Sequence, residues 1–197
     1  LPLIRAPHSP TACPLSIHPR TATVAAGASD AGAAMVNDVS AGLYDEELLP
    51  LVAERGVGIC LMHMRGTPRD MQDAPEYEDV VREVLDHLRE RVRACLKVGI
   101  EGNRIQIDPG IGFGKTLEHN LELMSHLPVL RSLGLPLLLG VSRKSFIAQV
   151  TAGTDQGGGP GERLGGTSAA VPPCAGGGPG GRRVRRGAGP RAARRAG

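Results

Sequence analysis

The octapeptide DPGIGFGK at 108–115 carries the residue types best suited to binding a flat ligand. Asp108 ends an apolar run, and glycines follow it at 110, 112 and 114. Glycine allows positive φ and a close approach of the backbone to a ligand. A carboxylate beside such a loop can accept two N–H bonds from a planar heterocycle such as a 2-amino-4-oxopyrimidine. From these residues alone, a structural turn in which Asp108 caps backbone amides is the alternative.

A second stretch, GVSRKS at 140–145, predicts an anion site. It joins the end of an apolar run to a helical pattern, so its two cations and its hydroxyls lie at a helix N-terminus, where free N–H groups bind carboxylate or phosphate. Cations are unfavourable at the positive end of a helix unless an anion is bound. A solvated basic cap is the alternative.

Three further positions carry weaker signals. Asn37 and Asp38 follow an apolar run and could bond a ring, although from these residues alone a turn is the favoured interpretation. We expect His63 to be a hydrogen-bonded histidine at a strand end, in preference to a catalytic base or a metal ligand. Met62 could form a soft apolar wall, although most methionines fill a core.

Short apolar runs ending in these polar residues predict buried parallel strands. The runs are 35–38, 57–64, 105–108 and 135–141, with a further candidate at 14–17. Helical spacing between them is clearest over 76–98, with Pro75 suited to the first turn and Gly99 to the end. Further helices are expected over 21–31, over 117–127 with Thr116 as N-cap, and after Arg143.

Alternation of strands and helices predicts a parallel α/β fold. Polar residues at the carboxyl ends of successive strands assemble the active site of a barrel, but an open doubly wound sheet also binds ligands there. Periodicity does not separate the two folds.

Composition divides the 197 residues into an irregular segment at 1–13, a folded segment at 14–170 and a tail at 171–197, which we expect to be disordered. The tail contains 7 of the 23 basic residues and no acidic residue, so the high pI of the chain comes from the tail. Because the tail has no aromatic residue, nucleic-acid binding is not expected.

Four unpaired cysteines predict neither a disulfide framework nor a zinc site. No apolar run is long enough for a membrane span, and a cytoplasmic location is expected.

Six segments, in this order and spacing, resemble dihydropteroate synthase. They are NDVSAG at 37–42, LMHMRGTPRDMQ at 61–72, the predicted helix that contains Tyr77, DPGIGFGK at 108–115, GVSRKSFI at 140–147 and ERLGGTSAA at 162–170. The resemblance covers about residues 14–170 and implies part of a TIM (β/α)8 barrel, with roughly strands 3 to 7 and their helices.

The resemblance implies an enzyme of folate biosynthesis. Members of the family condense 6-hydroxymethyl-7,8-dihydropterin pyrophosphate with p-aminobenzoate to give 7,8-dihydropteroate and pyrophosphate, with Mg²⁺ on the pyrophosphate. By position, the residues expected at the pterin are Asn37, Met62, Asp108 and Lys144. Those expected at p-aminobenzoate are Phe113, Lys144 and Ser145. No acid or base is assigned, and a homodimer is expected because the family usually dimerises.

Departures from the family pattern limit the expected activity. His18 stands where the family has a pterin-contacting Asp. The family's first strand, with an asparagine that binds Mg²⁺, would precede Leu1, and its closing Arg-Val-His strand is replaced by the tail. We therefore expect little or no catalysis from the chain as written. The alternatives are a non-catalytic pterin-binding protein and a pterin-dependent methyltransferase domain, against which the SRKS segment argues.

Overall fold

Four parallel strands form the centre of the computed structural model, which describes residues 14–66, 71, 75–141 and 144. They are β1 Ser16–Ile17, β2 Met35–Asp38, β3 Gly58–Met62 and β4 Ile105–Asp108, and their order in the sheet is their order in the chain. Each strand adds to the same edge, as in a barrel wall, whereas a doubly wound sheet reverses direction at a switch point. Periodicity left open a barrel or a doubly wound sheet, and the order of the described strands favours the barrel. These strands form part of a barrel wall and do not close it.

Helices follow the strands, and three of the five described α-helices were expected. They are α1 Ala22–Asp30, α2 Leu48–Arg55, α3 Val80–Lys97, α4 Leu117–Ser125 and α5 Leu127–Arg131. The expected cap of α4 is confirmed, because the Thr116 hydroxyl accepts from His119 N–H at 3.3 Å. The helix predicted after Arg143 lies outside the described residues, as do the segments 1–13 and 171–197.

The start predicted for the longest helix is wrong. α3 begins at Val80, because the Asp79 carboxylate accepts from Arg82 N–H at 2.9 Å and caps the first turn there. Pro75 therefore precedes the helix. The expected end is confirmed, since Gly99 has φ +94° just beyond it.

The helix α2 was not predicted. Only two residues in the sequence mark its ends: Pro50 lies in the first turn, and Gly56, with φ +61°, directly follows the last residue. Eight residues give too few helical repeats for periodicity to stand out.

The strand predicted at 135–141 is reduced to a single bridge between Leu137 and Ile107. Ile107 N–H donates to the Pro136 carbonyl at 3.0 Å, and Leu138 N–H donates to the Ile107 carbonyl at 2.8 Å. Because β4 ends at Asp108, the residues after Leu138 have no ladder partner among the described strands.

Two apolar clusters fill the space between the sheet and its helices. One joins Ile59, Leu61 and Ile105 to α1, α2 and α3, and the other joins Ile107 to α3, α4 and α5. The strand residues in both clusters alternate with residues that face the opposite side of the sheet. Helix packing therefore fixes which side chains are turned toward the barrel interior.

Candidate functional site

Strand register brings three of the predicted site residues onto one face of the sheet. Met62 is paired with Asp108, and two residues earlier Asn37 is paired with Cys60. Side chains two residues apart share a face. Asn37, Met62 and Asp108 therefore lie on the face opposite the helices, so the structure brings together three residues that the resemblance assigns to one pocket.

Asp108 is held at the end of β4 by its own turn. Its Oδ1 accepts from Gly110 N–H at 2.7 Å, and the side chain is 5% exposed. Burial raises its pKa, while the Gly110 N–H, Lys144 and Lys115 act in the opposite direction. The capping turn is observed, and it does not exclude the ligand site that the sequence offered as the alternative, because a carboxylate has two oxygens and the turn uses Oδ1.

The glycines after Asp108 are required by close packing. Gly110, Gly112 and Gly114 have φ of +68°, +78° and +62°. A Cβ at Gly110 would overlap the carbonyl oxygen of His63, and one at Gly114 would overlap the backbone of Arg65. The loop 110–114 therefore rests directly on the segment that follows β3.

Lys144 and Phe113 meet over this loop. The Lys144 Nζ lies 4.3 Å from the centre of the Phe113 ring and donates to the Ile111 carbonyl. A Cβ placed on Gly140 would lie 3.8 Å from both Lys144 Nζ and Asp108 Oδ2, so the cation and the carboxylate converge there. Burial lowers the pKa of Lys144 to about 8, and the Asp108 carboxylate opposes this shift. Ser145 lies outside the described residues.

Asn37 and Asp38 have separate environments. The Asn37 Nδ2 lies 3.5 Å from Nε2 of His18, which directly follows β1 and which the resemblance places where an Asp is expected. Asp38 is buried on the other face, where it accepts from Ser40 N–H at 2.9 Å and from Gly42 N–H at 2.5 Å. The turn interpretation is thus correct for Asp38, while Asn37 is turned toward the candidate pocket.

The buried pair of His63 and Lys115 was not predicted as part of the site. His63 is 5% exposed, and its Nδ1 lies 3.0 Å from Lys115 Nζ. Burial, aided by the Lys115 charge, lowers the pKa of His63 to about 2, so its ring is neutral. The expectation of a hydrogen-bonded strand-end histidine is confirmed. Nothing in the local sequence indicated its lysine partner, which is 52 residues away.

Arg65 and Tyr77 support the same loop from outside, and sequence reasoning assigned neither a function. The Tyr77 hydroxyl donates to the Gly114 carbonyl at 2.8 Å. The Arg65 guanidinium lies 4.1 Å from the centre of the Tyr77 ring and pairs with Glu83 of α3. Tyr77 was noted only as the start of a helical pattern.

A cavity of about 280 Å³ opens beside this site. It shares Met62 with the predicted set and is otherwise lined mainly by the loop after β2, by Arg20 and by His87. Asn37, Asp108 and Lys144 are not part of its lining. The convergent polar groups, and not this cavity, mark the candidate site.

No metal centre is formed by the part of the chain that the structure describes, where no group of three or more His, Cys, Asp or Glu side chains could hold an ion. The described residues thus do not fit an all-protein Mg²⁺ cage. Within the same residues, no helix combines the length and apolar character needed to cross a membrane.

Solved structures similar to this chain include dihydropteroate synthases. One from Xanthomonas albilineans, with 4-aminobenzoic acid, has a TM-score of 0.75 and 42% identity, over 86% of this chain and 58% of that one. One from Yersinia pestis, with a sulfonamide drug complex, has a TM-score of 0.79 and 34% identity, over 86% and 59%.

Curated relatives carry the same name. The Neisseria meningitidis serogroup C dihydropteroate synthase is 52% identical over 126 residues, which is 63% of this chain and 44% of that protein. The Synechocystis dihydropteroate synthase is 41% identical over 169 residues, which is 86% of this chain and 57% of that protein. The chain therefore spans about half the length of the curated relatives it matches.

The family described as "Pterin binding enzyme" matches residues 1–185, a longer range than the 14–170 expected from the motifs. Because this match takes in most of the chain, and because the sheet order and the strand-end residues agree with it, the protein belongs to the pterin-binding enzyme family.

Proposed function

We propose that this chain provides the substrate-binding surface of a dihydropteroate synthase. It binds 6-hydroxymethyl-7,8-dihydropterin pyrophosphate and p-aminobenzoate, which are joined to 7,8-dihydropteroate with release of pyrophosphate. The observation that carries the proposal is the convergence of Asp108, Phe113 and Lys144 at the end of β4. In support, the similar structures include one with 7,8-dihydropteroate and one with 4-aminobenzoate.

The pterin binds to the sheet face that carries Asn37, Met62 and Asp108. Asp108 accepts N–H bonds from the amino-pyrimidine edge of the ring through oxygens that its buried turn orients. Asn37 bonds the same ring system, and Met62, which is 4% exposed, packs against its face. Lys144 lies at the margin of this pocket, beside Asp108.

The p-aminobenzoate binds above the glycine loop. Phe113 forms an aromatic wall for its ring. The Lys144 ammonium lies near that wall and near Asp108, the carboxylate that binds the pterin. Ser145 is proposed from the sequence to receive the carboxylate of p-aminobenzoate at a helix N-terminus.

The main catalytic contribution of the protein is to position the two substrates. The amine nitrogen of p-aminobenzoate forms a C–N bond to the pterin methylene carbon, the C–O bond to pyrophosphate breaks with its electron pair, and the nitrogen loses a proton to solvent. The carbon becomes cation-like as pyrophosphate leaves. Holding the two rings at reacting distance therefore lowers the barrier more than proton transfer by a side chain would.

Mg²⁺ and a homodimer stay predictions from the resemblance, and a cytoplasmic location stays a prediction from the sequence. Because the described residues gather no metal cluster, no step of this chemistry is assigned to a metal.

Binding without turnover is the second candidate, and His18 favours it. An imidazole beside Asn37 replaces an expected carboxylate acceptor. Loss of one acceptor at the pterin would weaken orientation of the ring. A pterin-dependent methyltransferase domain would instead bind methyl-tetrahydrofolate.

Turnover and binding by the full chain test these candidates together. The chain is incubated with both substrates and Mg²⁺, dihydropteroate is measured by chromatography, and pterin binding is measured by calorimetry. Product formation supports the synthase. Pterin binding without product supports the non-catalytic protein, and a His18→Asp variant that gains turnover would identify His18 as the cause. No binding of either substrate would refute both.

A further inference from the structure

Lys115 is a buried lysine that the proposed chemistry does not use. Only 3% of it is exposed, yet its Nζ lies within hydrogen-bond distance of four acceptors. They are the carbonyl oxygens of Phe113 at 2.9 Å, Gly110 at 3.1 Å and His63 at 3.4 Å, and the His63 Nδ1 at 3.0 Å. Lysine is almost never fully buried unless it is paired, so this cluster of acceptors accounts for its position.

These contacts join two separate parts of the chain. Gly110 and Phe113 belong to the loop after β4, and His63 follows β3. Phe113 N–H also donates to the Gly110 carbonyl at 3.0 Å, so the lysine holds both carbonyls that bracket this turn. Removing the amine would leave buried carbonyl groups without this donor, which is costly in a low-dielectric interior.

The protonation states agree with this geometry. Burial lowers the pKa of Lys115 to about 7, while the Asp108 carboxylate acts in the opposite direction. The pKa of His63 is lowered to about 2, so its ring is neutral and Nδ1 accepts from the lysine. The four contacts of the Lys115 amine all lead to the glycine loop and to His63, which indicates a structural contribution.

We infer that Lys115 is a positioning residue that fixes Phe113 in the p-aminobenzoate pocket by tying the glycine loop to the end of β3. The identity of the ligand rests on the proposed function, whereas the anchoring of the loop does not.

The test combines one measurement that needs no ligand with one that does. Amide hydrogen exchange is followed in the full chain for the segment 108–116 and for α3, and p-aminobenzoate binding is measured by calorimetry with 6-hydroxymethylpterin present. The variants are Lys115→Met and Lys115→Gln. Lys97→Met, at an exposed lysine in the last turn of α3, is the matched control.

We expect both Lys115 variants to speed exchange in 108–116 while α3 stays protected. Lys115→Met should weaken p-aminobenzoate binding by about 10-fold or more, and pterin binding by no more than about threefold, because displaced positioning groups reduce function steeply. Lys115→Gln, which keeps two N–H donors, should lie between it and the wild type.

Unchanged exchange in 108–116 would overturn the inference. So would faster exchange in α3 in both variants, since the lysine would then support the whole domain and not the loop. If the wild type binds neither ligand, the proposed function fails, and the exchange data still decide whether Lys115 anchors the loop.

Discussion

The Lys144 ammonium lies 4.3 Å above the ring of Phe113, 31 residues earlier in the chain, and shares its surroundings with the Asp108 carboxylate. This cation, which lies near both the aromatic ring and the carboxylate, links the two halves of the candidate site. Changes at these residues should therefore affect the two ligands differently.

Asp108→Asn should weaken pterin binding by roughly 10- to 100-fold, since hydrogen bonds to a charged group contribute roughly 1.5–3 kcal/mol. The fold should persist, because the amide oxygen of asparagine can still accept from Gly110 N–H. Calorimetry with 6-hydroxymethylpterin measures the effect. Asp30→Asn, at an exposed carboxylate, is the control, and equal affinities of the two variants would contradict the assignment.

Lys144→Gln should move the pH dependence of pterin binding. Lys144 lowers the pKa of Asp108, as does Lys115, so its removal raises that pKa. Because the ionised carboxylate is the acceptor, pterin affinity should then be lost at a higher pH as the solution is acidified. Affinity measured across pH 4–9 shows the shift. If the variant loses pterin affinity at the same acidic pH as the wild type, Lys144 and Asp108 are not coupled.

Gly110→Ala and Gly134→Ala form a matched pair, with φ of +68° and +73°. Both pay the left-handed penalty of about 1–2 kcal/mol. Only the methyl at Gly110 meets backbone, the His63 carbonyl, whereas nothing lies within 4 Å at Gly134. Gly110→Ala should therefore lower the free energy of unfolding by roughly 3 kcal/mol or more, or prevent folding. Urea denaturation compares them, and equal losses would show that the loop yields.

His63→Asn should reduce the acid sensitivity of folding. The pKa of His63 falls from 6.5 to about 2 in the folded protein, so between these values the unfolded state binds the extra proton. The free energy of unfolding then decreases as pH falls through this window, by up to about 1.4 kcal/mol per pH unit. Urea denaturation at pH 7 and pH 5 measures this slope.

The His63→Asn slope should be shallower than that of wild type, although not zero, because burial also lowers the pKa of His87. His126→Asn, at an exposed histidine, should keep the wild-type slope. A slope unaffected by His63→Asn would show that another group controls the acid transition.

Local signals predicted the elements whose causes are local. The caps at Thr116 and after Lys97 follow from residue type and spacing, since a helix end is satisfied by its nearest neighbours. The start of α3 was misplaced because proline suits a first turn but does not compel one, and Asp79 supplied a better cap. The segment 135–141 was apolar enough for a strand, but a ladder also needs a partner of matching length.

By itself, the sequence indicated Asp108 at a strand end and the alternate glycines after it, and its resemblance to a known family added Phe113 and Lys144. Only the tertiary structure decided which of Asn37 and Asp38 faces the candidate pocket, that the glycines rest on the backbone after β3, and that Lys115 is buried against His63. The reason is physical. Spacing along a chain encodes contacts within one element, whereas strand register and the pairing of buried polar groups depend on segments that are brought together only by folding.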